Sequence, residues 1–106
     1  MTIISTEYTA DMAEADIIAA VVGAQVRVIS IEINSDGAEP VALYWNTNTA
    51  ATRLQNIKLT IAGQQYIKYF PAQSGLSPKG AALKIDGNQG PSNINVTVMY
   101  EQGHVA

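Results

Sequence analysis

A chain of 106 residues suits one domain built on one core. Hydrophobic residues make up 47% and charged residues only 14%, which argues against a disordered chain. The six basic residues, set against nine acidic ones, are scattered at Arg27, Arg53, Lys58, Lys68, Lys79 and Lys84, so no concentrated positive field exists for nucleic acid or an anionic membrane.

There are no cysteines, which excludes disulfides, thiolate chemistry and a thiolate zinc site. No apolar stretch approaches the roughly 20 residues that span a bilayer. The start, Met1 to Glu7, lacks the basic and apolar regions of a secretory signal, so synthesis and folding in the cytoplasm are expected. Low charge with ordinary hydrophobicity leaves two readings of the surface: it is covered by a partner, or it is neutral and rich in Asn, Gln and Thr.

Residues 1–15 read as an arm or edge element ahead of the main domain, β-prone over Thr2 to Thr9 and acidic over Asp11 to Asp16. Ile17 to Gly23 fits a short helix and a strand equally well, because so short an apolar run has no decisive period. Gln25 to Asn34 is the strongest strand. Val26 and Val28 lie on one face and Ile29, Ile31 and Ile33 on the other, so the apolar phase flips at Val28–Ile29. Such a flip means a bulge, a change of sheet, or burial on both faces.

Ser35 to Pro40 is a turn around Asp36–Gly37. Val41 to Trp45 follows as a strand with Val41, Leu43 and Trp45 on one face, and Asn46 to Thr52 is a polar loop. Ile57, Leu59 and Ile61 alternate with Lys58 and Thr60, and Ala62 to Gln65 turns the chain. Tyr66 to Phe70 is an aromatic strand that stops at Pro71, which cannot donate to a central ladder. Pro71 to Gly80 is a long loop, Ala81 to Ile85 a short strand, and Asp86 to Ser92 a further loop region. In the last strand Ile94, Val96, Val98 and Tyr100 alternate with Asn95, Thr97, Met99 and Glu101, and Gln102 to Ala106 reads as a frayed tail. Seven or eight short strands spaced by turns predict an all-β, single-domain sandwich, jelly-roll-like, over residues 16–106.

Candidate chemistry is sparse. The only histidine, His104, lies near the chain end, where the held geometry of an acid or base is not expected. Asp11, Glu14 and Asp16 cluster, but their spacing matches no EF-hand and reads as a solvated acidic segment. Asp36 and Glu39 flank a turn and serve its geometry. Phosphate-cradling glycine patterns are absent, and the sequon at Asn95 falls inside a strand. No catalytic, cofactor-binding or metal-binding residues are assigned, and no cofactor is expected. Among the aromatics, Trp45 shares a face with Val41 and Leu43 and reads as core, while Tyr44 points the other way and is the candidate contact residue.

The stretch Ile17-Ile18-Ala19-Ala20-Val21-Val22-Gly23-Ala24-Gln25-Val26-Arg27-Val28-Ile29-Ser30 resembles a pattern of small bacteriophage virion proteins of the capsid decoration, or head cement, type. The later order of strand, polar loop, Gly63 turn, Pro71 loop and valine-rich last strand is similar too, so the resemblance spans residues 16–101. It implies a jelly-roll-like sandwich that binds the major capsid protein on the assembled head as a homotrimer, located on the virion. The alternative is a receptor- or carbohydrate-binding sandwich module of a phage tail fibre. An enzyme is the least favoured class.

Overall fold

Strict alternation along Ile94, Val96 and Val98 gives one strand an apolar face and a polar face, and the rest of the chain repeats that device. The computed structural model describes residues 1–8, 15–47, 49, 51–59, 63, 65–71, 74–86 and 93–104. They form eight strands: β1 (Thr2–Tyr8), β2 (Ala15–Ile18), β3 (Ala24–Ser35), β4 (Glu39–Trp45), β5 (Arg53–Leu59), β6 (Gln65–Tyr69), β7 (Leu83–Asp86) and β8 (Ile94–His104). Two antiparallel sheets result, ordered β1-β8-β3-β6 (sheet A) and β2-β7-β4-β5 (sheet B). The pairs β1–β8, β2–β7, β3–β6 and β4–β5 nest one inside the next, which is the connectivity of a rolled-up jelly roll. The expected fold class is the one found.

The core lies between the sheets. Val26, Val28, Ile31, Ile33, Ile94, Val96 and Val98 come from sheet A, and Ile17, Ile18, Val41, Leu43, Trp45, Ile57, Leu59, Leu83 and Ile85 from sheet B. Tyr8 stitches one side of the sandwich, its hydroxyl donating to the Asp16 carbonyl at 3.3 Å. Lys68 stitches the opposite side, its Nζ donating to Gln55 Oε1 at 2.9 Å while lying 5.3 Å from the centre of the Phe70 ring.

The phase flip in β3 is a bulge. Val28 pairs with Tyr100 and Ser30 with Met99, so Ile29 is the extra residue. Val26 and Val28 before it and Ile31 and Ile33 after it therefore all face the core. The same place is where β3 changes neighbour on its other side. Phe70 N–H donates to the Ile29 carbonyl at 2.8 Å, and beyond it the chain leaves β6 at Pro71. The loop after Pro71 then runs along the first half of β3. Val28 N–H donates to the Gly75 carbonyl, Ser77 N–H to the Val26 carbonyl and Gly80 N–H to the Ala24 carbonyl, at 2.8, 2.8 and 2.7 Å. The buried Ser77 hydroxyl accepts from Val26 N–H at 2.9 Å. This loop was expected to be irregular; its middle acts as a short substitute for β6.

Of the two readings of the first residues, arm or edge element, Thr2–Tyr8 is the edge element, paired to β8 residue by residue from Thr2 with Tyr100 to Tyr8 with Ile94. Three boundaries differ from the sequence reading. Ile17 to Gly23 splits: Ile17 and Ile18 finish β2, and Ala19 to Val22 form an exposed apolar loop. β5 starts at Arg53, ahead of the expected Ile57. Gln102 to His104 belong to β8, with Ala24 paired to His104, because β3 is long enough to hold them. Asp11 and Glu14 lie outside the described residues.

Two predictions follow from the packing. A Cβ on Gly75 would sit 2.2 Å from the Val28 carbonyl oxygen, whereas one on Gly103 meets nothing within 4 Å. Gly75→Ala should lower stability by about 1–3 kcal/mol in chemical denaturation, with Gly103→Ala close to neutral. The Tyr8 hydroxyl is held above its ordinary value: burial raises it, a hydrogen bond with Thr6 pulls it back, and the Asp16 charge raises it further. An unfolded tyrosine ionises near pH ~10. The contribution of Tyr8 is therefore complete below that pH and is lost as pH rises through the higher folded value. Alkaline unfolding curves should show this loss, and Tyr8→Phe should remove it.

Candidate interaction surface

The outer face of sheet A is built from residues that alternate with the core. Register sets them in three rows across the four strands. The first row is Ile3, Met99, Ser30 and Tyr69; the second is Ser5, Thr97, Glu32 and Ile67; the third is Glu7, Asn95, Asn34 and Gln65. Ile3 is 61% exposed, Tyr69 74% and Ile67 50%. Polar side chains in the rows are tied to one another. The Ser5 and Thr97 hydroxyls share a hydrogen bond at 3.0 Å, and Gln65 Nε2 donates to Glu32 Oε1 at 2.7 Å. Arg27 and Glu101 close one end of the face with a 3.0 Å ion pair, half exposed and so worth little to stability. The face thus offers apolar groups at both edges with few charges among them.

The outer face of sheet B has the opposite character. Asp16, Lys84, Tyr44 and Arg53 form one row, and Asp86, Ala42 and Asn56 another, with Lys58 beside Pro40. Lys84 Nζ lies 3.3 Å from Asp16 Oδ1, so the described member of the acidic cluster is an ion-pair partner. The large exposed apolar side chains Ile3, Ile67 and Tyr69 lie on the other face.

Tyr44 is a correction. It points away from the core cluster, as its phase requires, yet none of its surface is exposed. Its cross-strand neighbours are Lys84 and Arg53, whose long apolar stems share its face. Tyr44 therefore cannot serve as a contact residue. Trp45 is core, 5% exposed. The aromatic that does reach solvent is Tyr69. Its signal lay in Pro71, which marks the end of an edge strand, and in the alternation of Ile67 and Tyr69 with Lys68.

Among the described residues, open clefts lie at opposite ends of the sandwich. One, of about 240 Å³, has Glu7, Asp36, Asn93 and Asn95 among its lining. Asp36 ties its turn to a distant segment, its Oδ1 accepting from Asn93 N–H at 2.7 Å, while within the turn it is Ser35 Oγ that accepts from Gly37 N–H at 3.2 Å. The other, of about 320 Å³, lies between the loop after β4 and the loop after β6, with Thr52, Arg53, Ser74 and Leu76 among its lining. Asn46, in the left-handed region at φ 60°, anchors that end: its Oδ1 accepts from Ala82 N–H at 2.9 Å. Among the described residues no three or more His, Cys, Asp or Glu side chains come together. His104 lies at the end of β8.

No family model matches this chain, and no curated protein matches it. Solved structures resemble it in fold. A Bacillus endospore appendage protein, described as belonging to a novel family of disulfide-linked pili, matches 99% of this chain and 87% of its own at 14% identity and a TM-score of 0.51. A de novo designed double-stranded β-helix matches 95% of this chain and 100% of its own at 14% identity and a TM-score of 0.43. A carbohydrate-binding module of family 4 matches 95% and 84% at 12% identity and 0.39. At such identities the likeness is one of fold.

Placement of the two tyrosines leads to a direct test. Tyr44→Ala should cost about 3–5 kcal/mol, the range for removing a buried aromatic, while Tyr69→Ser should stay within about 0.5 kcal/mol. Paired thermal and denaturant melts read both.

Proposed function

We propose that this chain is a non-catalytic structural protein of a virus particle, a capsid decoration protein that binds the major capsid protein on the assembled phage head and stands there as a homotrimer. The observation that carries the proposal is the outer face of sheet A, with Ile3, Ile67 and Tyr69 exposed along its two edges. Apolar groups held on a rigid sheet suit protein contact, where buried aromatic and aliphatic anchors supply most of the binding energy. The jelly roll is a scaffold that capsid proteins use. The phage-like stretch from Ile17 to Ser30 supports the same reading. It includes the exposed loop Ala19 to Val22, where Val22 is 93% exposed, a second apolar contact for a capsid junction.

A tail-fibre sugar-binding module fits less well. Stacking platforms need exposed rings in a group, and Trp45 and Tyr44 are both buried. The disulfide linkage described for the spore-appendage pili has no counterpart in these 106 residues, which contain no cysteine.

Co-sedimentation with purified phage heads tests the proposal. Binding should saturate on assembled heads and be absent from free capsid subunits. Tyr69→Asp and Val22→Asp should each weaken it at least about tenfold, the loss expected at an interface anchor. Failure to bind heads, with hits on a glycan array instead, would transfer the assignment to the tail fibre.

A further inference from the structure

Sheet A has two open edges, β1 and β6, and the backbone groups they leave free can be assigned. Phe70 N–H points at β3, where it meets the Ile29 carbonyl. Peptide groups alternate sides along a strand, so Lys68 and Tyr66 also point at β3. Gln65, Ile67 and Tyr69 therefore direct their N–H and C=O groups outward. The parity carries across the sheet. Asp36 N–H donates to the Asn93 carbonyl at 3.1 Å, so the pairs Asn34–Asn95 and Glu32–Thr97 bond β3 to β8. The intervening Ile94, Val96, Val98 and Tyr100 then bond to β1, through Tyr8, Thr6, Ile4 and Thr2. Among the described residues, this leaves Ile3, Ser5 and Glu7 with free N–H and C=O groups on the outer edge of β1.

On both edges the residues with free backbone groups are the same ones whose side chains form the outer rows. We infer that β1 of one copy pairs antiparallel with β6 of a second copy, Ile3 opposite Tyr69, Ser5 opposite Ile67 and Glu7 opposite Gln65. Placing two copies in the same orientation makes these edges antiparallel, because β1 and β6 already run in opposite directions within sheet A. Side-chain matching selects this pairing over its rivals. A β1–β1 contact centred on Ser5 sets Ile3 against Glu7, an apolar group against a charge. A β6–β6 contact centred on Ile67 sets Tyr69 against Gln65. The β1–β6 contact joins apolar to apolar at Ile3–Tyr69 and polar to polar at Glu7–Gln65. Lys68, the inward charge that would guard the β6 edge, is already held by Gln55 and Phe70 of its own chain.

The contact uses two different surfaces, so it is heterologous and propagates until it closes as a ring or runs on as a filament. It deepens the oligomer of the proposed function and rests on sheet A being an interaction surface. It needs no capsid, so head binding can fail while this contact stands, and the reverse.

Cysteine cross-linking tests it in a chain with no cysteine of its own. Directly opposed residues of a hydrogen-bonded pair lie about 5.5 Å apart at Cα, within disulfide reach. Under mild oxidation Ser5→Cys and Ile67→Cys proteins, once mixed, should give the mixed dimer, and neither alone should dimerise beyond a Val22→Cys control. The double variant should yield covalent multimers. A dimer from Ile67→Cys alone or from Ser5→Cys alone would overturn the assignment, as would no cross-linking above the control. Ser5→Pro and Ile67→Pro each delete an outward N–H that the chain's own ladder does not use, so both should fold. In light scattering both should shift the mass to that of a single chain. Unchanged multimers would overturn the inference too.

Discussion

One extra residue in the central strand sets the rest of the structure. β3 is twelve residues long, shared between β8 on one side and β6 and its following loop on the other. A strand that alternates without interruption could not point Val26, Val28, Ile31 and Ile33 into one core, because the second pair is out of phase with the first. Ile29 absorbs the mismatch. It also falls where β6 ends at Pro71 and the loop through Gly75 and Ser77 takes over, so the bend in β3 and the change of partner coincide. The fit is close: Gly75 has no room for a side chain against the Val28 carbonyl.

The outer face inherits its order from that bulge. Ser30 is the first residue after it, and it pairs with Met99 on one side and Tyr69 on the other. From there the rows run straight to both edges, which brings Ile3 and Tyr69 level at opposite ends of one row. Sheet B has its own irregularities, at Ile17 and Leu54, and its outer face carries Asp16, Lys58, Lys84, Arg53 and Asp86. The two outer faces differ in their apolar content: Ile3, Ile67 and Tyr69 are exposed on sheet A, while on sheet B the buried Tyr44 lies in a row with Asp16, Lys84 and Arg53.

Much of the fold was legible in the residues because the signals were local. Alternation marked β8 and the inner face of β4, and the broken alternation at Val28–Ile29 announced the bulge. What stayed hidden depended on distant partners. Thr2 to Tyr8 reads as arm or edge element alike until β8 is beside it. Gln102 to His104 look frayed until the length of β3 is known. Tyr44 is outward by phase, and only the strands carrying Lys84 and Arg53 show that it is covered. The candidate surface was the least legible part. Its residues lie on four separate strands, and their alignment is a matter of register, which a single strand's sequence does not carry. Tyr69 had a local clue in Pro71, whereas Ile3 had none.

Residue-resolved amide hydrogen exchange, compared between dilute and assembled protein, tests most directly whether sheet A is the working surface. Assembly should slow exchange at Ile3, Ser5, Glu7, Gln65, Ile67 and Tyr69, whose amides point away from the chain's own ladders, and leave the amides of β2 and β5 unchanged. New protection confined to the edges of sheet B or to the two end clefts, with the sheet A edges still exchanging freely, would contradict it.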